Sequence, residues 1–323
     1  MDNKHFREII IKSTGATDLY EIGKIQSLWS GYGSIIRYGL KGSKLKSVVV
    51  KYVQLTNQEH PRGWNTDRSH NRKLRSYEVE TAWYRDWSSR CDESCYVPHC
   101  YALEAKDGEV LMVLEDLDSS GYGKRLSSVS WNEIALGLSW LANFHAKYMQ
   151  ERPTGLWKVG TYWHLATRPD ELKVLDDKAL KKAAHEVDKI LNQSKYKTFV
   201  HGDAKLANFC FSHDKKRISA VDFQYVGGGC GMKDIAYFIG SCLYENECEA
   251  MEVKVLDYYF AELKSAVLRN EKNIDVGELE EEWRMLFPVA WTDFHRFIKG
   301  WSPGHWKINS YSERIAKEII RSL

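Results

Sequence analysis

One segment constrains the fold of this chain more than any other: Phe199-Val200-His201-Gly202-Asp203-Ala204-Lys205-Leu206-Ala207-Asn208-Phe209-Cys210-Phe211. Apolar, β-prone ends enclose a polar loop that carries Asp203 and Asn208. Fourteen positions after Asn208 stands Asp222, closing the apolar run 218–221. An Asp and an Asn five apart on a tight loop, with a second Asp at the end of the next strand, suit phosphoryl transfer. That chemistry needs a carboxylate to orient and deprotonate an attacking hydroxyl, oxygen ligands for magnesium, and cations around the phosphates. Asp203 reads as the base, Asn208 as a neutral metal ligand and Asp222 as a charged one, since hard magnesium prefers oxygen donors.

The surrounding pattern divides the chain. In the first third, β-like runs at 22–28 and 35–40 flank Ser30-Gly31-Tyr32-Gly33, and further runs follow at 48–53 and 110–114. One helix is expected at 74–87, where Tyr77, Tyr84 and Trp87 share a face. Glu80 lies in the middle of that aromatic face and Glu78 nearly opposite it, so Glu80 requires a buried partner. Beyond residue 117 the pattern becomes helical. Ser130-Trp131-Asn132-Glu133 reads as a capping box opening a helix to about Gln150, with Ile134, Leu138, Leu141, His145 and Tyr148 facing inward. A second helical stripe, 277–300, carries Leu279, Trp283, Leu286, Ala290, Phe294 and Phe297, with a kink expected at Pro288. A β-rich part with one helix followed by a mostly helical part predicts an α+β, two-lobed chain divided into 1–116 and 117–323.

Composition narrows the partners. A formal net charge of +2 over 323 residues gives no general reason for a nucleic-acid or membrane partner. Basic residues crowd between Arg62 and Arg75, with His60, Arg68, His70, Arg72 and Lys73, and read as a solvated or phosphate-facing loop. The first residues lack the apolar core of a signal peptide, and no run approaches the ~20 apolar residues of a spanning helix. Seven scattered cysteines suggest reduced thiols and a cytoplasmic location. Cys91, Cys95, His99 and Cys100 lack the paired spacing of a structural zinc site and read as buried thiols.

The motifs in this order resemble the kinase-like phosphotransferase superfamily. His201-Gly202-Asp203 through Asn208 is similar to the aminoglycoside phosphotransferase and choline kinase branch, which carries His-Gly-Asp where protein kinases carry His-Arg-Asp. Asp222-Phe223-Gln224, and the spacing of Tyr77, Glu80, Trp83 and Tyr84, look most like its ecdysteroid-kinase-like subgroup. The resemblance runs from Lys51 through the 113–117 hinge to the catalytic segments and fades after about residue 245. It implies a two-lobed protein-kinase-like fold, with a nucleotide-binding lobe and a catalytic, acceptor-binding lobe, and ATP and Mg2+ as cofactors. Lys51 would contact the α- and β-phosphates and pair with Glu80. The backbone at Glu115 and Leu117 would bind adenine, and Ser30, Gly31 and Gly33 would cover the phosphates. Asp234 matches the carboxylate that braces the catalytic loop, and His145 matches a helix histidine, here read as a core residue. Two departures stand out: the glycine loop has no third glycine, and Lys205 replaces the aromatic or histidine common in this branch. Lys205 reads as a γ-phosphate contact, and the two glycines taken alone read more readily as an ordinary hairpin turn.

The expected acceptor is a small molecule bearing a hydroxyl. Trp283, Trp291, Trp301 and Trp306 could cage a quaternary ammonium such as choline, or simply form core. Glu245, Glu247 and Glu249 could make an acidic pocket for an aminoglycoside, or face water; a steroid or polyol remains a third class. A nucleotide-binding pseudokinase is the rival reading, which the intact Lys51, Asp203, Asn208 and Asp222 oppose. A protein kinase is disfavoured by the absence of an Ala-Pro-Glu segment and the short span between Asp222 and Asp234.

Overall fold

The computed structural model describes residues 3–28, 31–54 and 67–323. It divides into two compact units: Met1–Asp92 with Tyr96–Lys124 and Cys210–Val221, and Glu93–Cys95 with Arg125–Phe209 and Asp222–Leu323.

The first unit is built on a five-stranded antiparallel sheet. Its strands are β1 (Asp18–Ser27), β2 (Gly33–Lys41), β3 (Ser47–Gln54), β4 (Cys100–Lys106) and β5 (Glu109–Glu115), in the order β1-β2-β3-β5-β4. The β-branched run of β3 puts it at the centre, paired to β2 and β5. Alternation along β3 sends Val48, Val50 and Tyr52 to one face, where they pack with Ile10, Leu19, Leu111 and Val113 beneath helix α1 (Asn3–Thr14). Lys51 therefore points to the opposite face. That face is where Glu80 of helix α2 (Asp67–Ala82) meets it.

The helix expected at 74–87 begins earlier and ends in a π-helical turn, Trp83–Trp87. α1 and β4 are additions to the sequence reading. The Ala, Leu, Glu and Lys of β4 favour helix in isolation, and pairing with β5 overrides them. Two short strands, β7 (Phe209–Phe211) and β8 (Ile218–Ala220), form a separate small sheet. Of the basic crowd, His60 and Arg62 lie outside the described residues. Among the rest, Lys73 sits over the Tyr77 ring at 4.6 Å and Arg75 pairs with Glu78 at 3.0 Å.

The second unit holds seven helices among the described residues: α3 (Trp131–Lys147), α4 (Pro169–Val174), α5 (Lys178–Asn192), α6 (Met232–Cys242), α7 (Glu245–Arg269), α8 (Val276–Trp301) and α9 (Ser310–Ser322). The one sheet here pairs β6 (Thr198–Val200) with β9 (Gly227–Gly229). The capping box of α3 forms as expected, Glu133 accepting from the Ser130 N–H at 2.8 Å, and its predicted inner face is buried. The α8 stripe is buried too, and the helix runs unbroken through Pro288. Among the described residues no helix is long and apolar enough to cross a membrane.

Candidate active site

β6 delivers the chain into the loop at His201, and Gly202 makes the turn with φ +79°. A Cβ there would sit 2.1 Å from the Tyr225 carbonyl oxygen, so no larger residue fits. The loop is held from below by Asp234 in the first turn of α6. Its carboxylate accepts from the His201 N–H at 2.6 Å and the Gly202 N–H at 3.0 Å. His145 Nε2 lies 3.2 Å from the same carboxylate, and its Nδ1 meets the Tyr259 hydroxyl at 2.7 Å. All of these groups are buried, so a charged carboxylate deep in the unit is fully engaged. His145 is a satisfied core residue, as its apolar helix face suggested.

Asp203 follows two residues on. Its Oδ2 accepts from Lys205 Nζ at 2.9 Å and from Asn208 Nδ2 at 3.0 Å, and that same amide nitrogen donates to the Asp203 carbonyl at 2.8 Å. The other carboxylate oxygen, Oδ1, is buried with no hydrogen-bond partner. Burial raises the Asp203 pKa, the Asp222 charge adds to this, and Lys205 and His201 oppose it. Burial pulls the Lys205 ammonium down, but the charge of Asp203, its hydrogen bond to Lys205 and the charge of Asp222 together leave it raised. Asp222 adopts φ +70°, a left-handed conformation uncommon for a residue with a Cβ, and its Oδ1 is likewise buried without a partner.

Asn208 commits its nitrogen to Asp203, which leaves its Oδ1 as a free acceptor. Two partnerless carboxylate oxygens and an amide oxygen make a hard donor set. Magnesium held by one or two carboxylates and completed by phosphate oxygens fits such a set. By contrast, no group of three or more His, Cys, Asp or Glu side chains gathers as a metal site among the described residues. Cys91, Cys95, His99 and Cys100 form no such cluster, and burial pushes the Cys100 thiol up to about 11, away from the thiolate that zinc needs.

In the first unit Lys51 Nζ meets Glu80 Oε2 at 2.6 Å, with both side chains almost wholly buried. This is the partner that Glu80 required. Glu115, at the end of β5, is buried, accepts from the Tyr96 hydroxyl at 2.8 Å and donates its N–H to the His99 carbonyl at 2.8 Å. The Leu117 carbonyl accepts from Tyr122 at 2.7 Å, while its N–H has no partner among the described residues. Gly31 (φ +75°) and Gly33 close the β1–β2 hairpin through the Leu28 backbone. A Cβ on Gly33 would lie 1.9 Å from the Tyr52 carbonyl oxygen, so the approach of β3 by itself demands glycine there. Ser30 lies outside the described residues.

The acceptor candidates separate. Trp283 and Trp291 are buried core, whereas Trp301 and Trp306 are half-exposed, and no ring contact joins any two of the four. Glu247 caps the Tyr244 N–H at 2.9 Å, Glu249 pairs with Arg314 at 3.0 Å, and Glu245 bonds Ser310, so these glutamates are spent within α7 and α9. Residues missed by the sequence reading lie close enough to Asp203 to feel its charge. The hydroxyls of Tyr162 and Tyr237 are 3.2 Å apart. Burial raises both phenols, and the Asp203 charge raises them further. Tyr237 lies three places after Asp234 on α6, a helical spacing that was available as a signal; Tyr162 offered none.

Comparison with known proteins places this architecture. Among solved structures, the chain is similar to choline kinase from Cryptosporidium parvum Iowa II, with a TM-score of 0.58 at 12% identity over 99% of this chain and 95% of that one. It is also similar to a microcompartment-associated aminopropanol kinase, with a TM-score of 0.50 at 14% identity over 99% and 94%. A search of curated protein sequences finds no significant match. The fold is the α+β protein-kinase-like fold, with its five-stranded N-terminal sheet and mostly helical C-terminal part. More narrowly, the sequence matches the ecdysteroid kinase-like family over residues 35–163 and 158–271, and the chain belongs to that family.

Proposed function

We propose that this protein is an ATP- and Mg2+-dependent kinase that moves the γ-phosphate onto a hydroxyl of a small molecule. The observation that carries this reading is the Asp203 carboxylate. One of its oxygens is fixed by Lys205 and Asn208, and the other is buried and left open to a proton donor. Asp203 accepts the acceptor's hydroxyl proton as the new P–O bond forms and the bond to ADP breaks. Lys205 steadies the γ-phosphate. Asn208 and Asp222 hold magnesium, which when bound neutralises phosphate charge. Lys51, set by Glu80, contacts the α- and β-phosphates. The Glu115 carbonyl and the Leu117 N–H take the adenine edge, and Ser30, Gly31 and Gly33 cover the phosphates. In this scheme residues 1–116 serve the nucleotide and 117–323 serve catalysis and the acceptor.

A magnesium-dependent ATP consumption assay against a panel of hydroxylated metabolites tests the reading, with Asp203→Ala as control. Turnover by the wild type alone is the expected result, and equal turnover by the variant excludes Asp203 as the base. Calorimetric titration with Mg·ATP separates the metal ligands. Asp222→Asn is expected to weaken binding more than Asn208→Ala, because it removes a charged ligand. The reverse order would mean that the two roles are exchanged.

A further inference from the structure

Beside the base lies an aromatic box already filled by a cation from the chain itself. Lys307 Nζ sits 4.6 Å from the Tyr237 ring centroid and 5.5 Å from those of Phe294 and Trp306. Three rings around one ammonium is the arrangement by which proteins recognise cationic headgroups. The Lys307 backbone is pinned, its N–H donating to His305 Nδ1 at 3.2 Å and its carbonyl accepting from Ser312 Oγ at 3.1 Å beside the N-cap of α9. Its ammonium has neither a hydrogen bond nor an ion pair among the described residues. Tyr237, which forms one wall of the box, also carries the influence of the Asp203 charge, and the same charge acts on Lys307.

We propose that Lys307 determines acceptor specificity: it occupies the box that would take a cationic headgroup and offers its ammonium to an acceptor that carries an electron-rich oxygen near the reacting hydroxyl. This rests on the reading of Asp203 as the base. A quaternary ammonium entering here would have to displace a resident cation and face Lys205 as well, a like-charge cost added to lost cation–π contact. A carbonyl, hydroxyl or carboxylate oxygen would instead satisfy an ammonium that has no protein partner. Burial pulls the Lys307 ammonium down to about 8 against the opposing charges of Cys242 and Asp203. The acceptor class is therefore a hydroxylated oxygen-bearing molecule and not an amino alcohol.

Two measurements test this. In saturation-transfer NMR with tetramethylammonium, wild type is expected to give no saturable signal and Lys307→Ala to give one; Lys307→Gln serves if the alanine variant does not fold. Binding by wild type equal to that of the variant, or binding by neither variant, overturns the proposal. In turnover assays, Lys307→Ala is expected to raise the KM of whichever acceptor wild type phosphorylates by roughly 10–100-fold with a smaller change in kcat. Loss of Mg·ATP affinity with an unchanged acceptor KM assigns Lys307 to the nucleotide and overturns it too. If no alcohol is phosphorylated at all, the kinase reading falls, while the NMR result still decides who fills the box.

Discussion

Leaving a buried carboxylate oxygen without a partner costs about 1–3 kcal/mol, and Asp203 and Asp222 each do so. Such a cost is tolerated where the open oxygen has work to do. For Asp203 the sign can be followed. Its folded pKa is raised, so the group favours folding only below its ordinary value of 3.8, and that contribution is lost as pH rises through the folded value. At neutral pH the raised group thus counts against the fold. Asp203→Asn is expected to cut turnover by roughly 10²–10⁴-fold while the melting temperature holds or rises. A steep fall in melting temperature would instead make the carboxylate structural. Lys51 and Glu80 behave differently, because each satisfies the other. Lys51→Met removes one member of this buried pair and should cost about 3–5 kcal/mol by urea denaturation. Adding Glu80→Leu should recover most of that without restoring nucleotide affinity, and a double variant as unstable as the single one would refute the pairing argument.

At the scale of elements, the loop that carries Asp203 is positioned by a helix end rather than by its own strand. β6 spans only Thr198–Val200, and the two N–H groups that follow it are held by Asp234 on α6. His145 on α3 completes the same node, so three elements converge on one carboxylate. Asp234→Asn removes the charge and half of the acceptor capacity. Faster hydrogen exchange at the His201 and Gly202 amides is expected, with a lower kcat and Mg·ATP affinity little changed. Unchanged exchange at both amides would show that Gly202 packing against Tyr225 suffices to hold the loop.

Taken as a whole, the second unit carries charge in its core. Asp293 pairs with Arg296 at 2.8 Å and accepts from Trp163 Nε1 at 3.1 Å, with Lys233 contributing nearby charge. Burial, reinforced by Lys233, lowers His164 to about 4, with Asp293 opposing. Burial likewise lowers His295 to about 4, with Glu313 opposing and Lys299 assisting. A histidine kept neutral in the folded state stabilises it above the unfolded pKa of about 6.5 and loses that contribution as pH falls towards 4. Each such group accounts for up to about 3 kcal/mol of acid sensitivity. Urea midpoints measured from pH 7 to pH 4 should fall steeply in wild type and less so in His164→Asn. Parallel curves would show that His164 titrates normally.

What the sequence by itself determined was local. Asp203, Asn208 and Asp222 could be read together because one loop and one strand carry them, and backbone geometry over a few residues sets such spacing. The capping box at Ser130 and the buried stripe of α8 were legible for the same reason. The need of Glu80 for a partner was legible, though the identity of that partner came from the resemblance and its contact from the packing of α2 on β3. Tertiary structure alone decided the rest. β4 became a strand against its own propensities because β5 offered a paired edge. Asp222 took a left-handed backbone that no residue type announces. The tryptophans went to core or surface, and the cation in the aromatic box proved to be Lys307, brought beside Tyr237 from seventy positions along the chain. Contacts of that range are set by how whole helices bury their faces, and a linear pattern records which faces are apolar but not which will meet.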